Sequence, residues 1–303
     1  MNIIDNLIEK IKEKNNPTVM GLDPAIKHLP ECLKEKYNLN ESLEKLPDAI
    51  LEFNKSLIDA VDYIIPAVKP NLAFYEVYGA KGIELFIKTC AYAREKGMLI
   101  VTDGKRNDIG TTAQSYAEAY FGKYYDIDML TVNPYLGEDG IKPFIDVAEK
   151  LEFSKGIFVL VKTSNKSSGQ LQDLKLEDGR TIYEAVASLV DTWGESSVGK
   201  YGYSTVGAVV GATYPEQLTM LRSKMPKAYI LIPGYGAQGG GAKDIIGGFN
   251  KDGLGAIVNA SRSLMCAYKS EMWKDKFVEK DYAKATRAEA IRMRDDINSA
   301  LNK

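Results

Sequence analysis

Histidine is almost missing from this chain. His28 is the only one in 303 residues, and the three cysteines, Cys32, Cys90 and Cys266, share no C-x-x-C spacing. A histidine-based triad or a multi-histidine metal centre therefore has nothing to be built from. The cysteines read as reduced, semi-buried thiols of a cytosolic protein. Excess charge is lacking too: 39 Lys plus Arg stand against 41 Asp plus Glu, a net charge of -2. Such a balance offers no broad field for nucleic acid or an anionic membrane, so an anionic ligand must be caught locally. No apolar run approaches the roughly 20 residues needed to span a bilayer. The opening MNIIDNLIEKIKEK carries Ile3, Ile4, Leu7, Ile8 and Ile11 at helical spacing with Asp5, Glu9 and Glu13 between them. It reads as an amphipathic helix rather than a signal peptide. The expectation is a soluble, cytoplasmic protein with neither nucleic acid nor membrane as partner.

What the chain does have is apolar material, 45% of its residues, and a recurring rhythm. Short runs rich in Val, Ile, Leu and Thr fall at 18–23, 63–71, 99–105, 128–134, 156–165, 205–213, 228–234 and 256–262. Most are nearly continuous rather than alternating, which suits parallel strands covered on both faces. Helical stretches such as 80–97 and 214–226 separate them. Strand–helix alternation implies a parallel sheet, and eight strands make a closed (β/α)8 TIM barrel of the α/β class the economical arrangement. A doubly wound open sheet is the alternative that periodicity alone leaves open. The length exceeds the roughly 250 residues typical of such a barrel. The surplus is placed in insertions near 27–50 and 165–204, with residues 1–303 read as a single domain.

Polar residues gather where the apolar runs end: Asp23, Lys69 with Asn71, Asp103 with Lys105, Ser164 with its neighbours, Gly234 to Gly241, and Asn259 to Arg262. In a barrel those ends form one rim, where active sites are built. Asp103 and Lys105 stand two apart, so on a strand they point the same way, and Lys69 and Asn71 repeat that spacing one strand earlier. Charges so tightly placed are expensive unless they pair or do chemistry. A purely structural ion-pair network closing the barrel is the competing reading. The second signal, PGYGAQGGGAKD at 233–244, formally contains Gly234-x-Gly236-x-x-Gly239. It follows the seventh strand rather than the first and lacks the acidic residue a dinucleotide site needs. A phosphate monoester site fits better, with glycines admitting the backbone, Gln238 donating from its amide and Arg262 making a bidentate contact.

Taken together, Asp103-Gly-Lys105-Arg-Asn-Asp108-Ile109 with Thr112 resembles the signature of the orotidine 5'-phosphate decarboxylase family. GLDP with Asp23, VKPNLAFYE with Lys69 and Asn71, LVKTSN with Ser164, PGYGAQGG with Gln238 and NASR with Arg262 follow in the family's order. The LVKTSN and PGYGAQGGG blocks and the length are similar to the longer bacterial subgroup. The resemblance implies decarboxylation of orotidine 5'-monophosphate to UMP and CO2 in pyrimidine biosynthesis, with no cofactor and no metal. It implies Lys105 as proton donor, Asp103 against the departing carboxylate, and Lys69 holding the array and a ribose hydroxyl. Asp23 and Asn71 would contact ribose or neighbouring charges, Ser164 the pyrimidine ring, and Gly234, Gln238, Gly239 and Arg262 the phosphate. It further implies a homodimer in which Asp108, Ile109 and Thr112 enter the neighbouring subunit's site. Two other functions stay open. Sugar-phosphate decarboxylases or aldolases on a similar barrel use the same carboxylates to hold Mg²⁺, and a non-catalytic barrel could sense a nucleotide phosphate.

Overall fold

A computed structural model of the chain describes residues 2–151, 154–236 and 241–302. All eight expected strands form: β1 Thr18–Leu22, β2 Ala67–Pro70, β3 Leu99–Arg106, β4 Met129–Val132, β5 Gly156–Lys162, β6 Ser204–Val210, β7 Ala228–Pro233 and β8 Ala256–Ala260. They close in sequence order into a barrel, β8 pairing back onto β1 in parallel. The closed α/β barrel stands, and the open sheet is set aside. Every residue of β1, β2, β4, β6 and β8 is buried, which is why these strands lack an alternating pattern. The expected second strand is shorter at its start, because Tyr63 is 81% exposed on the turn that follows helix Leu46–Val61.

Two apolar shells result. The inner one joins side chains such as Val19, Val101, Phe158, Tyr229 and Ile257 from around the barrel. The outer one packs the strands against the surrounding helices. The amphipathic N-terminal helix, Ile3–Lys14, belongs to the inner shell: Ile3, Ile4, Leu7, Ile8 and Ile11 are buried against the barrel's interior side chains. Ile3 lies against Gly156, the first residue of β5, so the helix plugs the end where the strands start. Each such side chain contributes about 1.5–3 kcal/mol by leaving water. The opposite rim is left for polar residues.

Both surplus segments contribute buried side chains to the outer shell, among them Leu33 and Leu46 from one and Tyr183 and Val190 from the other. Residues 27–50 include the short helix Glu31–Lys36 and the start of helix Leu46–Val61, while 165–204 contains the helices Gly169–Gln172 and Ile182–Trp193. Thr181 caps the latter with a reciprocal Glu184 bond. Helices Gly79–Glu95 and Pro215–Lys224 lie where 80–97 and 214–226 place them. The cysteines are all free, Cys90 buried and Cys266 half-buried. Cys32 is exposed rather than semi-buried, because it sits on the first turn of a short surface helix. No helix among the described residues is long and apolar enough to cross a membrane.

Candidate active site

At the rim where the strands end, Asp103 stands between two lysines. Its Oδ2 lies 2.8 Å from Lys69 Nζ and its Oδ1 lies 2.6 Å from Lys105 Nζ. Thr131 Oγ1 donates to Oδ1 at 3.0 Å and accepts from the Lys105 backbone N–H at 3.0 Å. Lys69 and Asn71 leave β2 in regular register, and Asn71 bridges to Asp103 across the sheet. The pairing of Asp103 with Lys105 does not arise as strand alternation predicts. The β3–β4 ladder shifts register between Thr102 and Arg106, and Lys105 adopts the left-handed region at φ 46°. A bulge re-aims a side chain at the cost of local strain. Here it bends Lys105 back over Asp103.

The electrostatics follow from burial and pairing. Lys69 is buried and Asp103 nearly so, whereas the Lys105 side chain is half exposed. Burial pushes the Asp103 carboxyl up, but the charges of Lys69 and Lys105 outweigh it and hold it far below the usual carboxylate range. Burial likewise pushes the Lys69 ammonium down, and the charges of Asp103 and Asp23 more than offset this, leaving it above its usual value. Both carboxylate oxygens of Asp103 are thus engaged by cations of the chain itself.

This array forms one wall of a cavity of about 440 Å³. Leu160, Val209, Leu231 and Pro233 supply an apolar side, and Thr163, Ser164, Asn165 and Gln172 supply a polar one. A flat ring with polar edges suits such a box. Asp23 does not line it, but its Oδ1 is buried with no hydrogen-bond partner among the described residues. His28 holds that loop in place through a contact of its Nδ1 with the Asp23 carbonyl at 3.1 Å. Asn71 uses its side-chain oxygen to accept from Ala73 N–H.

The glycine-rich end adjoins this rim. Gly234 and Gly236 have φ of 106° and 74°, backbone that side chains rarely adopt. Gly236 faces Ser263, and a Cβ on Gly21 would overlap Ser261 Oγ at 1.9 Å, so the exits of β1, β7 and β8 crowd together. Arg262 is exposed at the start of the short helix Arg262–Met265, with no acidic partner among the described residues. Gln238 and Gly239 lie outside the described residues. Tyr235, between the two positive-φ glycines, donates to Asp296 of the C-terminal helix Tyr282–Ala300.

Asp108, Ile109 and Thr112 are not gathered into the cavity. They flank the start of helix Gly110–Phe121, where Asp108 accepts from Ile109 N–H at 2.8 Å and Ile109 is 53% exposed. Within the chain the Asp108 carboxylate meets the adjacent Ile109 N–H rather than Lys105. Arg106, from the same motif, pairs with Glu76 at 2.5 Å and Tyr120 at 2.8 Å and stacks over Tyr116. Sequence reading missed Thr131 and Gln172. A threonine inside an apolar strand gives no signal, and Gln172 lies in an insertion that had no assigned role.

The fold and this rim define an α/β-barrel enzyme with a Lys–Asp–Lys array beside a glycine- and arginine-bearing end. Comparison with known proteins narrows the class. The profile of the orotidine 5'-phosphate decarboxylase / HUMPS family matches residues 19–272. An orotidine 5'-phosphate decarboxylase of Caldicellulosiruptor saccharolyticus is 40% identical over 100% of both chains. One of Clostridium perfringens is 43% identical over 99% of this chain and 100% of its own. The structure of Leishmania donovani OMP decarboxylase superposes with a TM-score of 0.75 at 30% identity, covering 100% of each chain. The chain belongs to the orotidine 5'-phosphate decarboxylase / HUMPS family.

The array makes acid stability a test of its geometry. A carboxyl held below its unfolded value, about 3.9, adds stability above that pH and forfeits it as pH falls toward the folded value. The stability difference between the wild type and Asp103→Asn should therefore be flat above about pH 5 and shrink below it. Denaturant midpoints of both proteins between pH 2.5 and about 7 measure this; parallel curves would contradict the ion-pair geometry.

Proposed function

We propose that the cavity binds orotidine 5'-monophosphate and that Lys105 protonates the ring carbon from which CO2 departs, giving UMP. The observation that carries this reading is Asp103 held by two ammonium groups on the cavity wall. The chain is a carboxy-lyase of pyrimidine nucleotide biosynthesis, and a single barrel domain suffices for the chemistry. Losing CO2 from a ring carbon leaves charge in the ring plane, with no adjacent π-system to accept it. An ammonium fixed nearby stabilises that charge as it develops and then supplies the proton. Asp103, 2.6 Å from Lys105 Nζ, supplies the counter-charge and crowds the substrate's own carboxylate. Two like charges ~4 Å apart repel by about 4 kcal/mol at an effective dielectric near 20. Enzyme rate enhancements require roughly 8–23 kcal/mol, so stabilisation of the transition state carries the larger share.

The remaining groups bind. Lys69 anchors the array and a ribose hydroxyl, and the Asp23 oxygen that has no partner among the described residues takes another, with Asn71 beside it. Ser164 reads the pyrimidine edge from the polar wall. Arg262, with no acidic partner among the described residues, and the backbone at Gly234, together with Gln238 and Gly239, take the phosphate. A Mg²⁺-dependent sugar-phosphate reaction would need Asp103 as metal ligand, yet its oxygens are already engaged by Lys69, Lys105 and Thr131. A mere phosphate sensor would have no use for a strained, exposed Lys105.

The working unit in this reading is a homodimer in the cytoplasm. Val77, Ile109, Tyr135 and Leu136 are all exposed on the loops that follow β2, β3 and β4. A second copy packed over these side chains would cover them and would receive Asp108, Ile109 and Thr112 into its cavity.

Four outcomes test the reading. Lys105→Ala should lower turnover of orotidine 5'-monophosphate by roughly 100- to 10,000-fold while UMP binding largely survives, and wild-type turnover should persist in EDTA. Near-normal turnover in the variant would refute the proton-donor role. Arg262→Ala should raise KM for the nucleotide roughly tenfold to a hundredfold and spare the nucleoside; equal losses on both would remove the phosphate assignment. Mixing inactive Lys105→Ala and Asp108→Ala chains should restore up to about a quarter of wild-type activity through hybrid dimers, whereas no recovery would refute sites shared across a dimer.

A further inference from the structure

Lys162 is a fully buried cation that the reaction proposed above does not use. It is the last residue of β5, two positions after Leu160, which lines the cavity. Simple alternation would send it into the barrel as well. The β5–β6 ladder instead shifts register between Leu160 and Lys162, and this irregularity turns the ammonium outward among the helices. There Nζ meets Asp173 Oδ1 at 2.6 Å and Ser168 Oγ at 3.2 Å. It also lies 4.8 Å from the Tyr214 ring centroid and 5.4 Å from that of Tyr183. A buried ammonium without such partners would be strongly unfavourable. The contacts therefore fix where the segment carrying Ser168 and Asp173 must sit.

That segment bears on the cavity. Gln172, next to Asp173, accepts from Thr163 N–H at 3.0 Å and donates to Thr163 Oγ1 at 2.8 Å. Thr163 in turn donates to Asn165 Oδ1 at 2.6 Å. Ser164 lies between Thr163 and Asn165, and these residues with Gln172 form the cavity's polar wall. The chain of contacts thus runs from a buried cation, through the 163–173 loop, to the polar wall of the cavity that Lys105 also lines.

We infer that Lys162 is a positioning residue, anchoring the 163–173 loop through Asp173 so that Gln172 and Ser164 present a preformed hydrogen-bonding edge to the substrate's base. The inference rests on the functional reading above, because it takes the occupant of that wall to be a pyrimidine. It assigns base selection to the 163–173 loop, separately from the phosphate end and from the catalytic array. Preorganisation of this kind raises affinity by cutting the ordering cost on binding.

Lys162→Met tests it: the change keeps the volume and removes the charge, and Asp173, whose side chain is 45% exposed, returns to water. Replacing a buried ion by an apolar group of similar size is tolerated by folds. Gln172→Ala, on a loop, serves as the second variant. Binding of UMP should weaken roughly tenfold to a hundredfold in both, while binding of ribose 5-phosphate, which has no base, should stay within about twofold. A Lys162→Met protein with the wild-type ratio of the two affinities, or one that loses both equally, overturns the inference. Should that variant fail to fold, an unchanged ratio in Gln172→Ala overturns it and a shifted ratio supports it. Wild-type turnover of orotidine 5'-monophosphate tests the underlying reading separately, since the affinity ratio needs no catalysis.

Discussion

Two ammonium groups share one carboxylate at the top of the barrel, and the buried pair, Lys69 and Asp103, would each be costly in so closed a place without the other. Asp103 makes Lys69 tolerable in a nearly dry position, and the lysines keep Asp103 ionised despite its burial. Because both oxygens are held, the carboxylate has a fixed direction and Lys105 a fixed resting point. Catalysis by charge stabilisation needs such groups set before the substrate arrives. Thr131 completes the arrangement by tying the Lys105 backbone to the same oxygen.

The rest of the barrel keeps that arrangement at an open end. The N-terminal helix covers the opposite end with apolar side chains, and the cavity lies where the strands finish. Register shifts in two of the ladders then decide where lysines point. The one in β3 brings Lys105 over Asp103, and the one in β5 takes Lys162 away from the cavity and into the helical layer. The same device thus serves the array in one strand and the polar wall in another.

Much of this was legible in the sequence, for physical reasons. Parallel strands buried on both faces leave continuous apolar runs, and all eight could be read from them. Lys69, Asp103, Lys105 and Ser164 were legible because ionic and polar groups at strand ends are hard to explain otherwise. Local backbone geometry was not. Period-two spacing predicts that Asp103 and Lys105 meet, but they meet through a bulge with a positive-φ lysine. The same spacing gives no hint that Lys162 turns outward. Asp108, three residues past Lys105 in the same motif, lies off the cavity, its carboxylate accepting from the adjacent Ile109 N–H. Thr131 was invisible because an apolar strand tolerates a threonine, and Gln172 because its contacts are set by tertiary placement of an insertion. Gln238 and Gly239 rest on motif alone.

The account stands or falls on the ionised state of Asp103 between its two lysines. Carbon-13 NMR of the labelled aspartate carboxyls, followed from neutral pH into acid on the wild type and on Lys69→Met, reads that state at the atom concerned. The account predicts an Asp103 signal that stays ionised through the ordinary carboxylate range in the wild type and titrates at higher pH once Lys69 is neutralised. A midpoint at or above about 4 in the wild type, unmoved by the substitution, would contradict it.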